Sequence, residues 1–597
     1  MGPGAATVGR VGGAYHDEPN LNAAWARLLI ETCVAQGVTY FVISPGSRST
    51  PLVRAVIADN RTEAVLWLDE RGAGFHALGH ARATGRPAAV ITTSGTAVAN
   101  LLPAAVEATA DGVPLLLLTA DRPPELVDVG ASQAVRQPGL FGDHVRLALD
   151  LPTPDASVPL RHGAYLLAQA LATARCAPRG AVHVNVRLRE PLTPVREAFP
   201  EGALAGLDGE APAPHRTPSH VIPRGPALGR ERSRIASRWL DQAKGLVVAA
   251  GPCPADVVGL AERLGWPLLA DLRSGHRLGR DRDVHCPHID RMLGSVWQPE
   301  VVLQLGSRPL SKRYAQWLQG TPGVGLLVAD DQLLQADPAA RAVEHIVAAP
   351  ERVVDELLAH FLEEGADDRR PPTATIERDR AIEEAIQDTL DRPVDEPLVE
   401  PQVARWISEH VDGAHALFVS NSLPVRMLQG FARRDGPEVP VGLNRGASGI
   451  DGIVSSAAGF AAGADRPTTV LLGDQAFLHD LNALAGLLRG GGPPLTLVIL
   501  NNGGGGIFHT LPVAAWPDLL TPWLDARHDL DFESVCNGFG LAYRRVGTEH
   551  ELAQCYEEAA QAGDHAVIEV MTSMDATRAA LREVDAAVRL VLEDTDA

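Results

Sequence analysis

Short, fully apolar runs alternate with longer amphipathic stretches along most of the chain. In the first third, "LNAAWARLLIETCVAQGV" has helical spacing and "TYFVIS" follows it as a strand. "AVLWL" predicts a second strand, and "ERGAGFHALGHARATG" a helix stopped by Gly85. "PAAVITTS" predicts a third strand, "AVANLLPAAVEATADG" a helix, "PLLLLTA" a fourth strand, and "AVHVNV" closes the set. The runs are apolar at consecutive rather than alternate positions, as in strands of a parallel sheet covered by helices on both faces.

The pattern lapses twice. Residues 201–230 are rich in Pro, Gly and Ala, a linker signature, and 371–398 are charged, predicting a linker with a helix. Between them, "KGLVVAAGP", "PLLADLRSG", "VVLQLGS" and "GVGLLVADD" predict strands of a second α/β domain over 231–370. After them, "ALFVSNS", "VPVGLNRG", "TTVLLGD", "LTLVILNN" and "AVIEVMT" predict a third over 399–597. The first domain then covers 21–200, preceded by a disordered tail at 1–20. The fold class is α/β, with three doubly wound parallel-sheet domains, as expected for 597 residues, too many for one core. No short-period repeat is visible, and the shared alternation leaves room for the first and third segments to be distant copies of one architecture.

Composition narrows the function classes. A net charge of −21 argues against a general nucleic-acid or membrane surface, while leaving room for a local basic pocket. No apolar run approaches the ~18–20 residues of a membrane span, and the start lacks a signal peptide's charged and apolar regions. Six scattered cysteines without a CxxC pair read as reduced thiols of a cytoplasmic protein.

Candidate chemistry sits at strand ends, where open α/β sheets bind ligands. Gly473-Asp474 ends "TTVLLGD", and Asn501-Asn502 ends "LTLVILNN" about 27 residues later, with one helix between. Either pair alone is most often a helix-capping turn. Together they place two hard oxygen donors on one crevice edge, a set suited to Mg²⁺ that also holds phosphate oxygens. The glycines 503–506 let a ligand approach the backbone closely.

This ordered pair resembles the thiamine-diphosphate enzymes, although Gln475 stands where their motif has a third glycine. That family also uses a glutamate from another domain to activate the cofactor's aminopyrimidine, and Glu70, opening a predicted helix, matches it. Longer words, "SPGSRSTPL", "TSGTAVANLLPAAVEA", "LTADRPPEL", "GASQAVRQPGLF", "NRGASGIDG" and "GGIFHTLP", resemble the 2-succinyl-5-enolpyruvyl-6-hydroxy-3-cyclohexene-1-carboxylate synthase family of menaquinone biosynthesis. The resemblance implies decarboxylation of 2-oxoglutarate and addition of the resulting succinyl-semialdehyde carbanion to isochorismate. It implies thiamine diphosphate with Mg²⁺ (or Mn²⁺) as cofactors. Its implied architecture is a homodimer with shared active sites, with a tetramer left open.

Carried over by motif, Glu70 is the catalytic activator, and Asp474, Asn502 and the Gly504 carbonyl hold the metal. Ile450 is the apolar wedge beneath the cofactor, and Gly473, Gln475, Ile507 and Phe508 line its site. The substrates carry two carboxylates each, and Arg suits two-point carboxylate binding. Ser47, Arg48, Arg122, Gln133, Ser422, Arg426 and Arg445 fall at family substrate positions. Lys312 and Arg313 join them from the central segment, where flanking residues depart from the family pattern. His76, His80, His479 and His509 read as structural or pocket-lining, since no HExxH zinc motif is present. Two other readings compete: an acetolactate-synthase-like or decarboxylase enzyme, against which the Arg-bearing words argue, and a non-catalytic nucleotide binder, for which no GxGxxG opens a helix.

Overall fold

In the computed structural model the described residues are 14–594, without 156, 206, 208–214, 221–227, 230, 242–243, 280–281, 333–335 and 364–368. They form two compact units. The first lies within Met1–Ile222, Asn444–Asp465 and Ala476–Pro493, and the second comprises the remainder.

The first unit is built on β1 (Tyr40–Ile43), β2 (Glu63–Leu66), β3 (Ala88–Thr92), β4 (Leu115–Asp121), β5 (Leu147–Leu151) and β6 (Ala181–Arg187). They pair in parallel in the order β2-β1-β3-β4-β6-β5. Every residue of β1, β3 and β4 is buried, which is why they read as unbroken apolar runs. The edge strand β5 is short and only its last residue is buried. "AVANLLPAAVEATADG" forms two helices, Thr96–Ala99 and Leu102–Ala110, because Pro103 ends the first and fits only the opening turn of the second.

The second unit carries two sheets. One consists of β7 (Gly245–Ala250), β8 (Leu268–Ala270), β9 (Val301–Gly306), β10 (Gly325–Ala329) and β11 (Ala342–Ile346), ordered β11-β10-β9-β7-β8. The other consists of β12 (Ala416–Val419), β13 (Val441–Gly442), β14 (Thr468–Gly473), β15 (Leu495–Asn501), β16 (Ala542–Val546) and β17 (Ala566–Met571), ordered β13-β12-β14-β15-β17-β16. That order repeats the first sheet strand for strand. Helix Thr373–Leu390, in the segment expected to be linker and helix, buries Ile382 and Ile386 completely and belongs to the core.

Of the tail expected at 1–20, residues 1–13 lie outside the described residues. Residues after them are ordered, a correction to that expectation: Tyr15 is buried with its hydroxyl 2.5 Å from Glu31 Oε2, and Asn20 caps helix Leu21–Ala35. Much of the linker expected at 201–230 is likewise undescribed, but Ala203, Leu207 and His215 are buried, and Gln36 Nε2 donates to the Thr217 carbonyl at 2.8 Å. Among the described residues no helix is long and apolar enough to cross a membrane.

One helix crossing in the first unit bears on the candidate site. Helix Glu70–Thr84 packs on helix Ile453–Ala464 through glycines. A β-carbon built on Gly79 would lie 2.0 Å from the Ser456 carbonyl oxygen, and one on Gly459 1.9 Å from that of His76. The backbones therefore touch, and only glycine permits it.

Candidate active site

In the third sheet the strand order reverses between β12 and β14, so ligands are expected where these strands end. Asp474 follows β14 and is buried. Its Oδ1 accepts from the Gln475 N–H at 2.6 Å and its Oδ2 from the Gly504 N–H at 2.8 Å. Burial raises its pKa above the usual carboxylate range, and these N–H groups oppose the shift. A cation beside it would favour the ionised form.

The two asparagines ending β15 have different duties. Asn501 is spent on the fold: its Nδ2 donates to the buried Glu569, while its Oδ1 accepts from the Gly503 N–H at 2.9 Å. Asn502 donates through Nδ2 to Glu400 Oε1 at 2.7 Å, and its Oδ1 is buried with no hydrogen-bond partner. Gly503 and Gly504 have φ of 78° and 154°, and a β-carbon on Gly504 would meet the Asp525 carbonyl oxygen at 2.5 Å. Glycine adopts these angles without strain, and the two residues shape the turn that sets the Gly504 backbone beside Asp474.

One carboxylate, one orphaned amide oxygen and a neighbouring backbone carbonyl are half the shell of a hard divalent cation. Diphosphate oxygens would supply the rest. Among the described residues no group of three or more His, Cys, Asp or Glu could hold a metal alone. The oxygen donors of Asp474, Asn502 and the Gly504 turn fit a metal that also binds phosphate oxygens.

Gln475 has a defined place. Its Nε2 donates to the Ala526 carbonyl at 3.0 Å, tying the start of helix Asp474–His479 to the segment before His528. His528 Nε2 lies 3.4 Å from Asp474 Oδ2. Sequence reasoning named His509 among its histidines and missed His528. His509 instead faces Asp525 at 3.6 Å, with Ile507 and Phe508 in the same short turn, Gly506–Thr510. Glu400 was also missed. Fully buried at the start of helix Glu400–His410, it has its pKa pushed up to about 7 by burial, with Asp474 adding to the rise and Asn502 opposing it.

The first unit supplies the other candidates. Glu70 is the first residue of its helix, Asp69 caps that helix, and Asn100 Nδ2 donates to Glu70 Oε2 at 3.2 Å. Ser47 and Arg48 follow β1, and Arg122 follows β4, around the β1/β3 reversal. Arg48 donates to the Leu188 carbonyl at 3.1 Å and lies 3.3 Å from Glu190. Arg122 bonds Ser94, and its pKa is lowered by burial and by the Arg48 guanidinium. Gln133, exposed with φ 55°, packs against Gly95 across the same strand ends.

The "NRGASGIDG" loop, with Arg445 and Ile450, also belongs to the first unit. Glu107, buried in helix Leu102–Ala110, accepts from the N–H groups of Gly446, Ala447 and Ser448 at 2.7, 2.7 and 3.1 Å. Gly452, φ 62°, then turns against Phe75 and leads into helix Ile453–Ala464.

In the second unit, Ser422 (φ 71°) directly precedes helix Leu423–Phe431 after β12, and Arg426 folds back onto the Ser422 carbonyl. Lys312 and Arg313 open helix Lys312–Gly320 after β9, where Arg313 is engaged with Asp585 at 3.1 Å. His76 and His80 pack on Tyr40, and burial lowers their pKa values to about 3 and about 4, so both are neutral core groups. His479 is held by Arg71.

Three parallel sheets, two with one strand order, and an oxygen-donor set beside a glycine turn define the class of thiamine pyrophosphate enzymes. Residues 24–140 match the model of the thiamine pyrophosphate enzyme N-terminal TPP binding domain, 231–419 the middle domain, and 443–570 the C-terminal TPP binding domain. The solved benzoylformate decarboxylase of Polynucleobacter necessarius shares the fold, with TM-score 0.71 at 17% identity over 92% of this chain and 98% of that one. Closer relatives are each named 2-succinyl-5-enolpyruvyl-6-hydroxy-3-cyclohexene-1-carboxylate synthase. That of Rubrobacter xylanophilus is 41% identical over 578 residues, 95% of this chain and 98% of its own. That of Salinibacter ruber is 41% identical over 595 residues, 97% and 98% of the two chains. The chain belongs to this synthase family.

Proposed function

We propose that the protein decarboxylates 2-oxoglutarate and adds the succinyl-semialdehyde unit to isochorismate, releasing CO₂, in menaquinone biosynthesis. The observation that carries this reading is the orphaned Asn502 oxygen beside Asp474 and the Gly504 turn, within a chain whose relatives at 41% identity share this reaction's name. Thiamine diphosphate, when bound, supplies the nucleophilic carbon and the electron sink.

The chain's own residues bind, orient and exclude. Asp474, Asn502 and the Gly504 carbonyl would hold Mg²⁺ or Mn²⁺ on the diphosphate, and Gly473, Gln475, Ile507 and Phe508 would line its cradle. Ile450 would press on the cofactor, with its loop pinned by Glu107. Glu70, oriented by Asn100, would accept or return a proton at the aminopyrimidine. Arg48, Arg122 and Arg445, with Ser47, Gln133, Ser422 and Arg426, would hold substrate carboxylates. Lys312 is a further candidate, and Arg313 a weaker one because Asp585 already engages it.

We read the smallest active form as a homodimer, whether or not dimers pair further, and the location as cytoplasmic. Exposed Ile57, Leu66 and Leu68, on and beside the strand leading to Glu70, support a partner surface there. CO₂ release from 2-oxoglutarate, with and without isochorismate, Mg²⁺ and thiamine diphosphate, tests the function. Acceptor-dependent turnover is expected, and its absence from the complete mixture would refute the assignment. Glu70→Gln should bind the cofactor yet lose turnover.

A further inference from the structure

The geometry points to Glu400 as a positioning residue that fixes the Asn502 side-chain amide so that its oxygen, not its nitrogen, faces the metal position. This rests on reading Asp474 and Asn502 as metal ligands. An asparagine amide is nearly symmetric in shape, and without a constraint either end can face a ligand. An NH₂ group turned toward Mg²⁺ would donate where an acceptor is needed. In its ionised form a carboxylate only accepts, so Glu400 Oε1, 2.7 Å from Asn502 Nδ2, takes the amide NH₂ and turns the amide oxygen away from itself. The outcome is visible in the buried, unpartnered Asn502 Oδ1.

Glu400 is itself held. It is fully buried at the first position of helix Glu400–His410, and its backbone N–H donates to Thr577 Oγ1 at 3.3 Å. The neighbouring asparagine obeys the same logic with a different result. Buried Glu569 takes the Asn501 Nδ2, and the Asn501 oxygen is directed to the Gly503 N–H. Two buried glutamates, from different elements, thus sort two adjacent asparagines into one that shapes the turn and one that offers an oxygen.

The test is Mn²⁺ binding to the full chain in the presence of thiamine diphosphate, followed by electron paramagnetic resonance, which needs no turnover. Partners of metal ligands typically affect affinity about 10–100-fold. Glu400→Leu should weaken Mn²⁺ by that range. Glu400→Gln, whose amide can present either its oxygen or its NH₂ to Asn502, relaxes the constraint and should fall between wild type and Glu400→Leu. Asn502→Asp alone sets two carboxylates face to face and should bind poorly. Adding Glu400→Gln restores a donor–acceptor pair of reversed polarity and should recover about tenfold or more, a coupling that a merely structural role would not produce. Wild-type affinity in Glu400→Leu, or no recovery in the double variant, overturns the proposal. So does a loss in Glu400→Gln as deep as in Glu400→Leu, which would make Glu400 a ligand. Asp474→Asn separates the two readings: if it binds Mn²⁺ as tightly as wild type, the metal site itself is wrong.

Discussion

Replacing Gly459 by alanine probes whether the helix that opens with Glu70 is held by direct backbone contact. A β-carbon there would lie 1.9 Å from the His76 carbonyl oxygen, whereas a relaxed C–H···O contact needs about 3.3 Å. The shortfall is about 1.4 Å, and the obstructing atom is backbone, so no side chain can swing aside. Overpacking of this kind costs about 1–3 kcal/mol or more, offset by about 1 kcal/mol because alanine favours the helix. A net loss of about 2 kcal/mol is expected, lowering the melting temperature by several degrees.

The loss of activity should be larger than the loss of stability. One helix begins at Glu70, and the other is entered from the Ile450 loop, so parting them by about an ångström shifts both groups, and a misplacement of that size can cost about 10²-fold in rate. Gly259→Ala is the control. It lies in helix Val257–Leu264 with nothing within 4 Å of the added carbon and should stabilise by up to about 1 kcal/mol. Thermal unfolding with the CO₂ assay measures all three proteins. A Gly459→Ala protein melting at or above wild type would refute the close crossing. One that melts lower but keeps full turnover would refute its link to the site.

Two further predictions concern charge. Asp480 is buried against Ser455, accepting from its N–H at 2.8 Å and its hydroxyl at 3.2 Å, and burial raises its pKa from 3.8 to about 7, with the Ser455 bonds and Arg71 opposing and Asp69 adding. A raised pKa means its stabilising contribution is complete below about 3.8 and is lost as pH climbs through about 7. Asp480→Asn, neutral throughout, should therefore gain on wild type by up to about 4 kcal/mol between pH 4 and pH 8; melting curves that stay parallel across that range would contradict this. Arg122→Ala should raise KM for at least one substrate by about 10–100-fold, the worth of a charged hydrogen bond, with less effect on kcat. An unchanged KM for both substrates in steady-state kinetics would remove Arg122 from the carboxylate site.

The central strands were legible because burial on both faces left each an unbroken apolar run, as in "LLLLTAD" of β4. The edge strands β5 and β16 were not, since "LALDL" and "AYRRV" present half their residues to solvent and look like loop. Asp474 and Asn502 were legible as strand-end polar residues in order. Their supports were not: Glu400 lies 102 residues from Asn502, and Glu569 lies 68 from Asn501. Nothing local marks "VEPQVARW" or "AVIEVMT" as carrying them, because each glutamate acquires its role only when another element meets it. His528 was missed for the same reason. Gln475, a departure from the motif in sequence, proves to be a tether once its contact with Ala526 is visible.

The repeated strand order gives the division of labour a physical basis. Position for position, β3 corresponds to β14 and β4 to β15, so Thr93–Gly95 stands where Gly473-Asp474 stands in the later sheet, and Arg122 where Asn502 stands. These equivalent strand ends differ in the groups they offer. The earlier pair offers the Arg122 guanidinium and hydroxyl groups beside the ion-paired Asp121, a set that would suit carboxylates directly. The later one ends in a carboxylate, an amide oxygen and bare backbone, which cannot take a diphosphate without a cation between. A parallel sheet fixes only where its strand ends point, and the residues placed there decide the sign of the ligand. Exchanging the charges at either end should thus fail for opposite reasons: Asp at position 122 would repel the substrate, and Arg at position 474 would displace the metal while still attracting the diphosphate. The second failure should leave cofactor affinity partly intact and no longer dependent on Mg²⁺, a signature that separates loss of the ion from loss of the fold.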